Sequence, residues 1–281
     1  MLYTDAKAVQ ERVQQHYNRV VSLGYEVVGV FLQGSWNYGL GWEESDVDTK
    51  AIILPTFEEI ALGRKPVSTT YIMENGEHID LKDIRLMFDC FKKQNINFVE
   101  ILFTPYFVMN PKYKHEFQWM FDNKDKIASY DVNRLIACIK GQLWNETSRM
   151  FKETPGTERN MKLYGCDVKS LSHIIRYMDF FKSYIVDKKS YSDSLTPTRI
   201  DDIMRFKRGD FHSWEVWEVL KELDKFYEEM EIVYKQKVVE AIECAEEFES
   251  RRDYICKQFD SVLLSIFEKE FKNYMFSTER N

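Results

Sequence analysis

The sequence has few of the residues that break or cross-link a chain, and it has no long apolar run. Its 281 residues include 11 glycines and 6 prolines. The longest apolar runs, such as residues 27–32, fall far short of the roughly 20 residues that a membrane-spanning helix needs. The N-terminal residues carry acidic side chains and lack the apolar segment of a secretion signal. We therefore expect a cytoplasmic protein without a membrane partner.

Cysteine and histidine show no disulfide or metal-ligand pattern. The five cysteines are irregularly spaced and include no Cys-x-x-Cys pair, and the five histidines include no His-Glu-x-x-His motif. This spacing argues against a disulfide framework, a thiolate zinc site and the common zinc-protease site. The formal net charge of −7 argues against a broadly basic coat for nucleic acid, although a local basic groove is compatible with it.

Apolar and aromatic residues are abundant, at 44% and 15% of the chain, which is enough for one large core or two modest ones. The first hundred residues show mixed helical and strand patterns. A helix is predicted over residues 5–22, strands over 27–32 and 47–54, and a hairpin over 69–81 with its turn at Asn75-Gly76.

The pattern after Pro111 is helical. Residues 131–152 and 167–187 have the spacing of long amphipathic helices. Residues 190–209, which hold several Ser and Thr and a proline, are predicted to form an internal linker. No glycine or proline follows Gly209, so the rest of the chain predicts two or three long helices.

These patterns together predict an α+β fold. A mixed sheet flanked by helices is expected in an N-terminal domain, residues 1–125. An all-helical C-terminal domain is expected in residues 126–281. The sequence shows no internal repeat that would indicate a solenoid.

The strongest chemical signal lies in residues 30–54. A predicted strand runs into Gly34-Ser35, ten residues intervene, and Asp46-Val47-Asp48 opens the next predicted strand. Glycine has no Cβ and lets a phosphate approach the backbone, while Ser35 is able to cap a short helix and help form an anion-binding corner. Two carboxylates two residues apart on a strand point to the same side, which suits the oxygen-binding cation Mg²⁺.

Each half of this pattern is weak by itself. A Gly-Ser pair is commonly an ordinary turn, and an acidic pair at a loop end is commonly solvated. The combination of both, with a predicted strand on either side, is much rarer and favours phosphate and metal chemistry.

Gly34-Ser35 followed by Asp46-Val47-Asp48 resembles the signature of the DNA polymerase beta-like nucleotidyltransferase superfamily. The resemblance implies a nucleotidyltransferase-type sheet in which the Gly-Ser turn binds the triphosphate. It also implies that the two aspartates and a third strand carboxylate bind two divalent ions, Mg²⁺ or Mn²⁺. We expect Asp80 to be the third carboxylate, with Glu77 a weaker candidate and Asp83 opening the next helix.

More of the chain resembles one branch of that superfamily, the YcgL-like predicted nucleotidyltransferases. The matching positions are Tyr38-Gly39-Leu40, Asn95, Asn97, Glu100, Lys169, His173 and Arg176. Ile96 is a departure, because proline is usual there. The resemblance extends over residues 28–215 and leaves the C-terminal helices outside it.

Lys169, His173 and Arg176 are spaced to share one face of a helix. Three potentially cationic groups suit the phosphates of a nucleotide, and the resemblance implies nucleotide binding by them together with Gly34 and Ser35. The alternative is that Lys169 and Arg176 are solvated surface charges and that His173 is a packing residue.

Two pairs of tryptophans are also notable. Trp214 and Trp217 fall at helical spacing and are predicted to be core residues rather than a stacking platform. Trp36 and Trp42 flank the Gly-Ser motif, where a tryptophan either stacks on a base or only anchors the loop.

The sequence therefore predicts a metal-dependent nucleotidyltransferase that transfers NMP from an NTP, such as ATP, to an acceptor and releases pyrophosphate. Asp46, Asp48 and Asp80 are the expected catalytic and metal-binding residues. RNA, a protein and a small molecule all stay open as the acceptor, and so does the oligomeric state. The alternative is a nucleotide-binding or protein-interaction module of the same fold without turnover.

Overall fold

The computed structural model describes residues 6–42 and 45–278, with side chains described as far as Lys272. The strands are β1 (Glu26–Gln33), β2 (Asp48–Leu54), β3 (Ser68–Ile72), β4 (His78–Asp83) and β5 (Phe107–Met109). Their order across one sheet is β3-β4-β2-β1-β5. β2 and β4 are parallel, and the other neighbouring pairs are antiparallel. The sheet is therefore mixed, within an α+β fold.

Helices fill most of the remaining chain. Before residue 131 they are α1 (Ala6–Ser22), α2 (Phe57–Ala61), α3 (Ile84–Lys92), α4 (Ile96–Val99), α5 (Lys114–Asp122) and α6 (Lys124–Ser129). After it they are α7 (Val132–Met150), α8 (Glu158–Tyr164), α9 (Val168–Phe181), α10 (Tyr191–Leu195), α11 (Ile200–Arg208), α12 (Ser213–Glu243) and α13 (Ala245–Thr278). None of the helices in the described ranges is both long and apolar enough to cross a lipid bilayer.

Helix α1 packs on one face of the sheet. Its buried valines, Val9, Val13 and Val20, pack with buried apolar side chains of β1, β2 and β4. The helix ends at Ser22, and Gly24 takes a left-handed backbone conformation (φ 88°) that turns the chain into β1. Burying an aliphatic side chain contributes about 1.5–3 kcal/mol, so this face anchors the strands that follow.

The elements predicted for the first hundred residues are present. The helix over residues 5–22 is α1, and the two predicted strands are β1 and β2. The predicted hairpin is the antiparallel pair β3 and β4, whose turn contains Asn75-Gly76. Local periodicity and turn residues were sufficient for these elements.

The described residues group into two compact units. The first, here called the sheet unit, comprises the described parts of Met1–Asn37, Gly41–Tyr130 and Glu247–Asn281. The second, the helical unit, comprises Tyr38–Leu40 and Asp131–Glu246. This grouping differs from the expected division into residues 1–125 and 126–281.

The difference arises because α13 belongs to the sheet unit. Phe259 on α13 packs edge-on against Phe88 of α3, with ring centroids 5.8 Å apart, and stacks on Phe91. Lys269 on the same helix donates a hydrogen bond to Glu116 at 2.7 Å. The apolar stripe of α13 is thus buried by residues distant in sequence, which a local helical pattern does not reveal.

The helical unit includes α7, α9, α11 and α12, which pack on one another. Residues 190–209 do not form the predicted linker, since they contain α10 and α11. Ile203 and Phe206 of α11 are buried, so this segment is part of the core of the unit. The Ser, Thr and proline that suggested a linker lie largely at the helix ends, where such residues cap and terminate helices.

The prediction that Trp214 and Trp217 are core residues is wrong. Both are 61% exposed on α12. The buried residues of this helix include Val216, Val219 and Leu223, which share a neighbouring stripe at the same helical spacing. Spacing identifies a stripe, but it does not identify which of two adjacent stripes faces the core.

A buried polar network ties α1 to β2 and to the turn before β4. The Nδ1 atom of His16 lies 2.9 Å from Thr49 Oγ1, and its Nε2 atom lies 2.9 Å from Glu77 Oε2. Arg12 Nε donates a hydrogen bond to Glu77 Oε2 at 3.0 Å. Burial alone would raise the pKa of Glu77, but the hydrogen bonds from His16 and Arg12 outweigh it and lower the pKa to about 2.

We expect the stability contributed by Glu77 to depend on pH. Its pKa is lower in the folded protein than the ordinary value of 4.5, so the contribution is complete above that value and is lost as the pH falls toward 2. Glu77→Gln should lower the free energy of unfolding by about 1.5–3 kcal/mol near neutral pH, since it removes hydrogen bonds to a charged group. Urea unfolding followed by circular dichroism should show this difference shrinking in acid.

The matched control is Glu74→Gln. Glu74 is exposed in the same turn, and its substitution should change the free energy of unfolding little at any pH. A difference between Glu77→Gln and wild type that stays constant from neutral pH into acid would contradict the assignment of the low pKa to Glu77.

Candidate functional site

The Gly-Ser motif lies where β1 ends, next to the start of β2. Gln33, the last residue of β1, pairs with Asp48, the first residue of β2. Gly34 follows with a left-handed backbone conformation (φ 87°), and a Cβ there would meet no atom of the described residues within 4 Å. Ser35 then begins a 3-10 turn in which Asn37 N donates to Gly34 O at 3.0 Å. Strand pairing therefore brings Gly34, Ser35 and Asp48 to one edge of the sheet.

Trp36 anchors the loop that follows the turn. Its ring lies so close to Gly41 that a Cβ on Gly41 would overlap it, and its Nε1 donates to Ser45 O at 3.4 Å. The backbone N of Trp42 donates to Ser45 Oγ at 3.1 Å. Anchoring the loop is thus one of the two roles expected for Trp36.

Asp46 and Asp48 flank a core residue. Val47 is fully buried on the α1 face, whereas Asp46 is exposed and the Asp48 side chain is 24% exposed. Within β2, side-chain alternation places Asp48 on the face opposite Thr49 and Ala51. Asp48 Oδ1 accepts a hydrogen bond from His78 N at 2.8 Å and lies 3.4 Å from His78 Nδ1. Asp48 thus lies at the edge that carries Gly34, and Asp46 precedes it by two residues.

Asp80 lies on the neighbouring strand β4 and is paired with lysine. The parallel register sets Asp80 directly opposite Lys50 of β2, two residues along from Asp48. Lys50 Nζ donates to Asp80 Oδ2 at 3.2 Å, and Lys82 Nζ lies 4.0 Å from Asp80 Oδ1. Both ammonium groups face the ring of Phe98, at 4.2 and 5.1 Å from its centroid. The charge of Asp80 is therefore compensated within the fold.

Asp46 and Asp48 suit a first divalent cation better than Asp80 suits a second one. Asp46 and Asp48 offer carboxylate oxygens two residues apart in the chain, and a hard divalent cation prefers such ligands. Asp80 is bound by Lys50, whose positive charge opposes a second cation there. Across residues 6–42 and 45–278, no three His, Cys, Asp or Glu side chains converge into a metal-binding group. The cluster of three carboxylates implied by the resemblance is not assembled in this arrangement.

The two weaker candidates for a third carboxylate have other partners. Glu77 is bound by Arg12 and His16 beneath α1. Asp83 opens α3 as expected, accepting a hydrogen bond from Arg85 N at 2.9 Å. Each carboxylate therefore has a structural role that accounts for it.

The second predicted set, Lys169, His173 and Arg176, lies on α9 in the helical unit. Arg176 is buried, with its guanidinium carbon 4.3 Å from the centroid of the Tyr38 ring and 4.6 Å from that of Tyr177. His173 Nδ1 lies 3.4 Å from Glu146 Oε1, and Lys169 is exposed. Arg176 is therefore not the solvated surface charge of the alternative interpretation, since it stacks on Tyr38.

Lys207 of α11 is a further cationic residue of the helical unit that the sequence did not single out. Its Nζ donates to Leu40 O at 3.0 Å. Desolvation, together with the nearby charge of Lys169, lowers the pKa of Lys207 to about 8. Two neighbouring lysines are an unfavourable pair that a bound anion would relieve. Lys207 lies in the segment interpreted as a linker, so only the tertiary structure reveals it.

Comparison with known proteins assigns no function to these residues. No protein-family model matches the chain, and no curated protein matches it. Among solved structures, the nucleotidyltransferase-like protein from Exiguobacterium sibiricum 255-15 matches with a TM-score of 0.30 and 11% sequence identity, over 96% of this chain and 79% of that chain. A similarity of this size supports no conclusion about fold or function, so the function has to be argued from the geometry.

We expect the Lys207 amine to titrate near pH 8 in the folded protein. Lys169→Gln removes the positive charge near Lys207 and should therefore raise the pKa of Lys207. Desolvation should still keep that pKa below the ordinary value of 10.5. Reductive ¹³C-methylation of the lysines followed by NMR titration measures both values. Lys162→Gln, at an exposed lysine paired with Glu158, is the control and should leave Lys207 unchanged. A Lys207 signal that titrates with the bulk lysines would contradict the assignment.

Proposed function

We propose that the protein is a metal-dependent nucleotidyltransferase that transfers NMP from an NTP to an acceptor. One observation carries the proposal. The open Gly34-Ser35 turn and Asp48 lie at one edge of the sheet, because Gln33 pairs with Asp48, and Asp46 precedes Asp48 by two residues. On the resemblance described above, we place it in the polymerase beta-like superfamily and its YcgL-like branch.

Gly34 and Ser35 are the proposed binding site for the triphosphate. The absence of a Cβ at Gly34 leaves the backbone open to a phosphate oxygen. The Ser35 hydroxyl and the backbone N–H groups that begin the 3-10 turn are suitable donors to an anion. Backbone donors fixed by the strand end need little rearrangement on binding, which favours positioning of the nucleotide.

Asp46 and Asp48 would hold a divalent ion, Mg²⁺ or Mn²⁺, at this edge. Such an ion, when bound, supplies charge neutralisation for the phosphates and lowers the pKa of an acceptor hydroxyl. The contact from His78 N to Asp48 Oδ1 fixes the orientation of that carboxylate. The oxygen ligands suit a hard divalent ion, and the resemblance described above implies Mg²⁺ or Mn²⁺.

The reaction balances without a protein nucleophile. An acceptor hydroxyl oxygen attacks the α-phosphorus, forming a new P–O bond, and the bond from the α-phosphorus to the α,β-bridging oxygen breaks. Pyrophosphate leaves with that electron pair, and the hydroxyl proton passes to water. The protein contributes orientation of the triphosphate and compensation of its charge, which are the main sources of rate in phosphoryl chemistry.

Residues of α9 and α11 in the helical unit are also proposed to take part in binding nucleotide phosphate, directly or by positioning a neighbour. Lys169, His173 and Arg176 share α9, and Lys207 adds a partly desolvated amine near Lys169. Arg176 would act by holding Tyr38 through its stacking contact. A contact between a cationic side chain and a phosphate contributes more binding free energy when it is desolvated than when it lies at an exposed surface.

A second candidate is a nucleotide-binding module without turnover. The ion pair between Lys50 and Asp80 favours it, because it occupies a carboxylate that the resemblance assigns to a metal. Incubation of cell extract with each α-labelled NTP and Mg²⁺ or Mn²⁺ separates the two candidates. Label on protein, RNA or a small molecule identifies the acceptor, whereas metal-dependent NTP binding by calorimetry without label transfer supports the module.

We expect Asp48→Asn to abolish metal-dependent transfer while leaving the fold intact. The amide keeps an oxygen for the hydrogen bond from His78 N but removes the negative charge that a divalent ion requires. The transfer activity should fall by at least about 100-fold, which is typical of removing one essential electrostatic contact in an active site. Asp89→Asn, at an exposed aspartate of α3, is the control and should keep activity. Full activity in Asp48→Asn would exclude the proposed scheme.

Gly34→Ala should weaken nucleotide binding beyond its effect on stability. Gly34 and Gly24 have nearly the same left-handed backbone (φ 87° and 88°), and a Cβ at either meets no described atom within 4 Å. Each alanine variant should therefore lose a similar free energy of unfolding, about 1–2 kcal/mol. Only Gly34→Ala should raise the Kd for NTP, by about tenfold or more. The reason is that a Cβ at this position prevents the phosphate from approaching the backbone. Equal Kd values in the two variants would contradict a phosphate site at Gly34.

A further inference from the structure

Lys50 is a buried lysine placed among the proposed functional carboxylates. Its side chain is 7% exposed, which is unusual for lysine. It lies on β2 two residues after Asp48, so the two side chains project from the same face of the sheet. Across the parallel ladder it faces Asp80, and its Nζ lies 3.2 Å from Asp80 Oδ2. Lys50 is thus next to both carboxylates on this face.

The surroundings of Lys50 hold its ammonium group in place. The Nζ atom lies 4.2 Å from the centroid of the Phe98 ring, a cation–π contact that favours a positive charge there. Lys82 Nζ lies 5.1 Å from the same centroid and 4.0 Å from Asp80 Oδ1. A metal ion bound at Asp80 would have to approach two ammonium groups and displace Lys50 from its ion pair with Asp80, at a desolvation cost.

We propose that Lys50 takes the place of a second divalent ion at Asp80, so that the protein binds a single ion, at Asp46 and Asp48. This inference rests on the proposed function. Lys50 is a positioning residue: its fixed charge holds Asp80 and compensates the negative face of the sheet where the resemblance implies a second cation. The chemistry at this edge then depends on one exchangeable ion and one permanent cation.

Binding stoichiometry for Mn²⁺ tests the proposal on the full chain. Titration with Mn²⁺ alone, followed by the electron paramagnetic resonance signal of the free ion, should give one ion per wild-type chain and one per Asp80→Asn chain. Lys50→Met frees Asp80 and should give two ions, and the double variant Lys50→Met/Asp80→Asn should return to one. Lys269→Met, which frees Glu116 from its ion pair elsewhere in the sheet unit, should stay at one.

The outcomes separate this inference from the proposed function. Two ions in the wild type, with one lost in Asp80→Asn, would overturn the role of Lys50 and leave the nucleotidyltransferase proposal standing. A single ion in a folded Lys50→Met chain would also overturn it. No bound ion in the wild type would overturn the metal site at Asp46 and Asp48 and the inference with it. If circular dichroism shows that Lys50→Met does not fold, the wild type and Asp80→Asn decide, since one ion in each supports the proposal.

Discussion

The alternation of side chains along β2 is the constraint on which the candidate site depends. Val47, Ala51 and Ile53 point into the core beneath α1, and a shift of one residue would expose them and bury the charged residues between them. Each such aliphatic side chain contributes about 1.5–3 kcal/mol when buried, so the core fixes the register strongly. Asp48 and Lys50 are then carried onto the opposite face. Their placement is set by residues that take no part in the proposed chemistry.

The parallel pairing of β2 with β4 extends this constraint to the second strand. His16 contacts Thr49 on β2 and Glu77 just before β4, so one buried imidazole spans the two strands on the core face. On the other face, His78 N donates to Asp48 at 2.8 Å, one step before Asp80 meets its lysine. Polar groups buried in a satisfied network resist displacement, because separating them leaves unpaired charge in a low dielectric. The register is therefore held from both faces of the sheet.

Local patterns in the sequence were enough to predict β1, β2 and the following hairpin, because side-chain periodicity and turn residues are read from neighbouring positions. The antiparallel pairing of β1 and β2 sets Asp48 next to Gly34-Ser35, since an antiparallel strand starts where its partner ends. Local patterns could not show that Asp80 faces Lys50, because the register of a parallel pair is set by contacts distant in sequence. The same limit explains α13, whose core partners precede it by more than a hundred residues.

The charge of Asp80 is compensated from within the fold. Asp80 is neutralised by a lysine built into the neighbouring strand, and that lysine is held by the ring of Phe98. Asp46 is exposed and Asp48 is paired with His78, and in the proposed scheme these two carboxylates bind a cation taken from solution. A cation from solution binds or dissociates as the concentrations of the free metal and the nucleotide change, whereas Lys50 is part of the chain. In the proposed scheme, nucleotide binding is therefore coupled to metal concentration through Asp46 and Asp48 alone, while Asp80 acts on the site through Lys50.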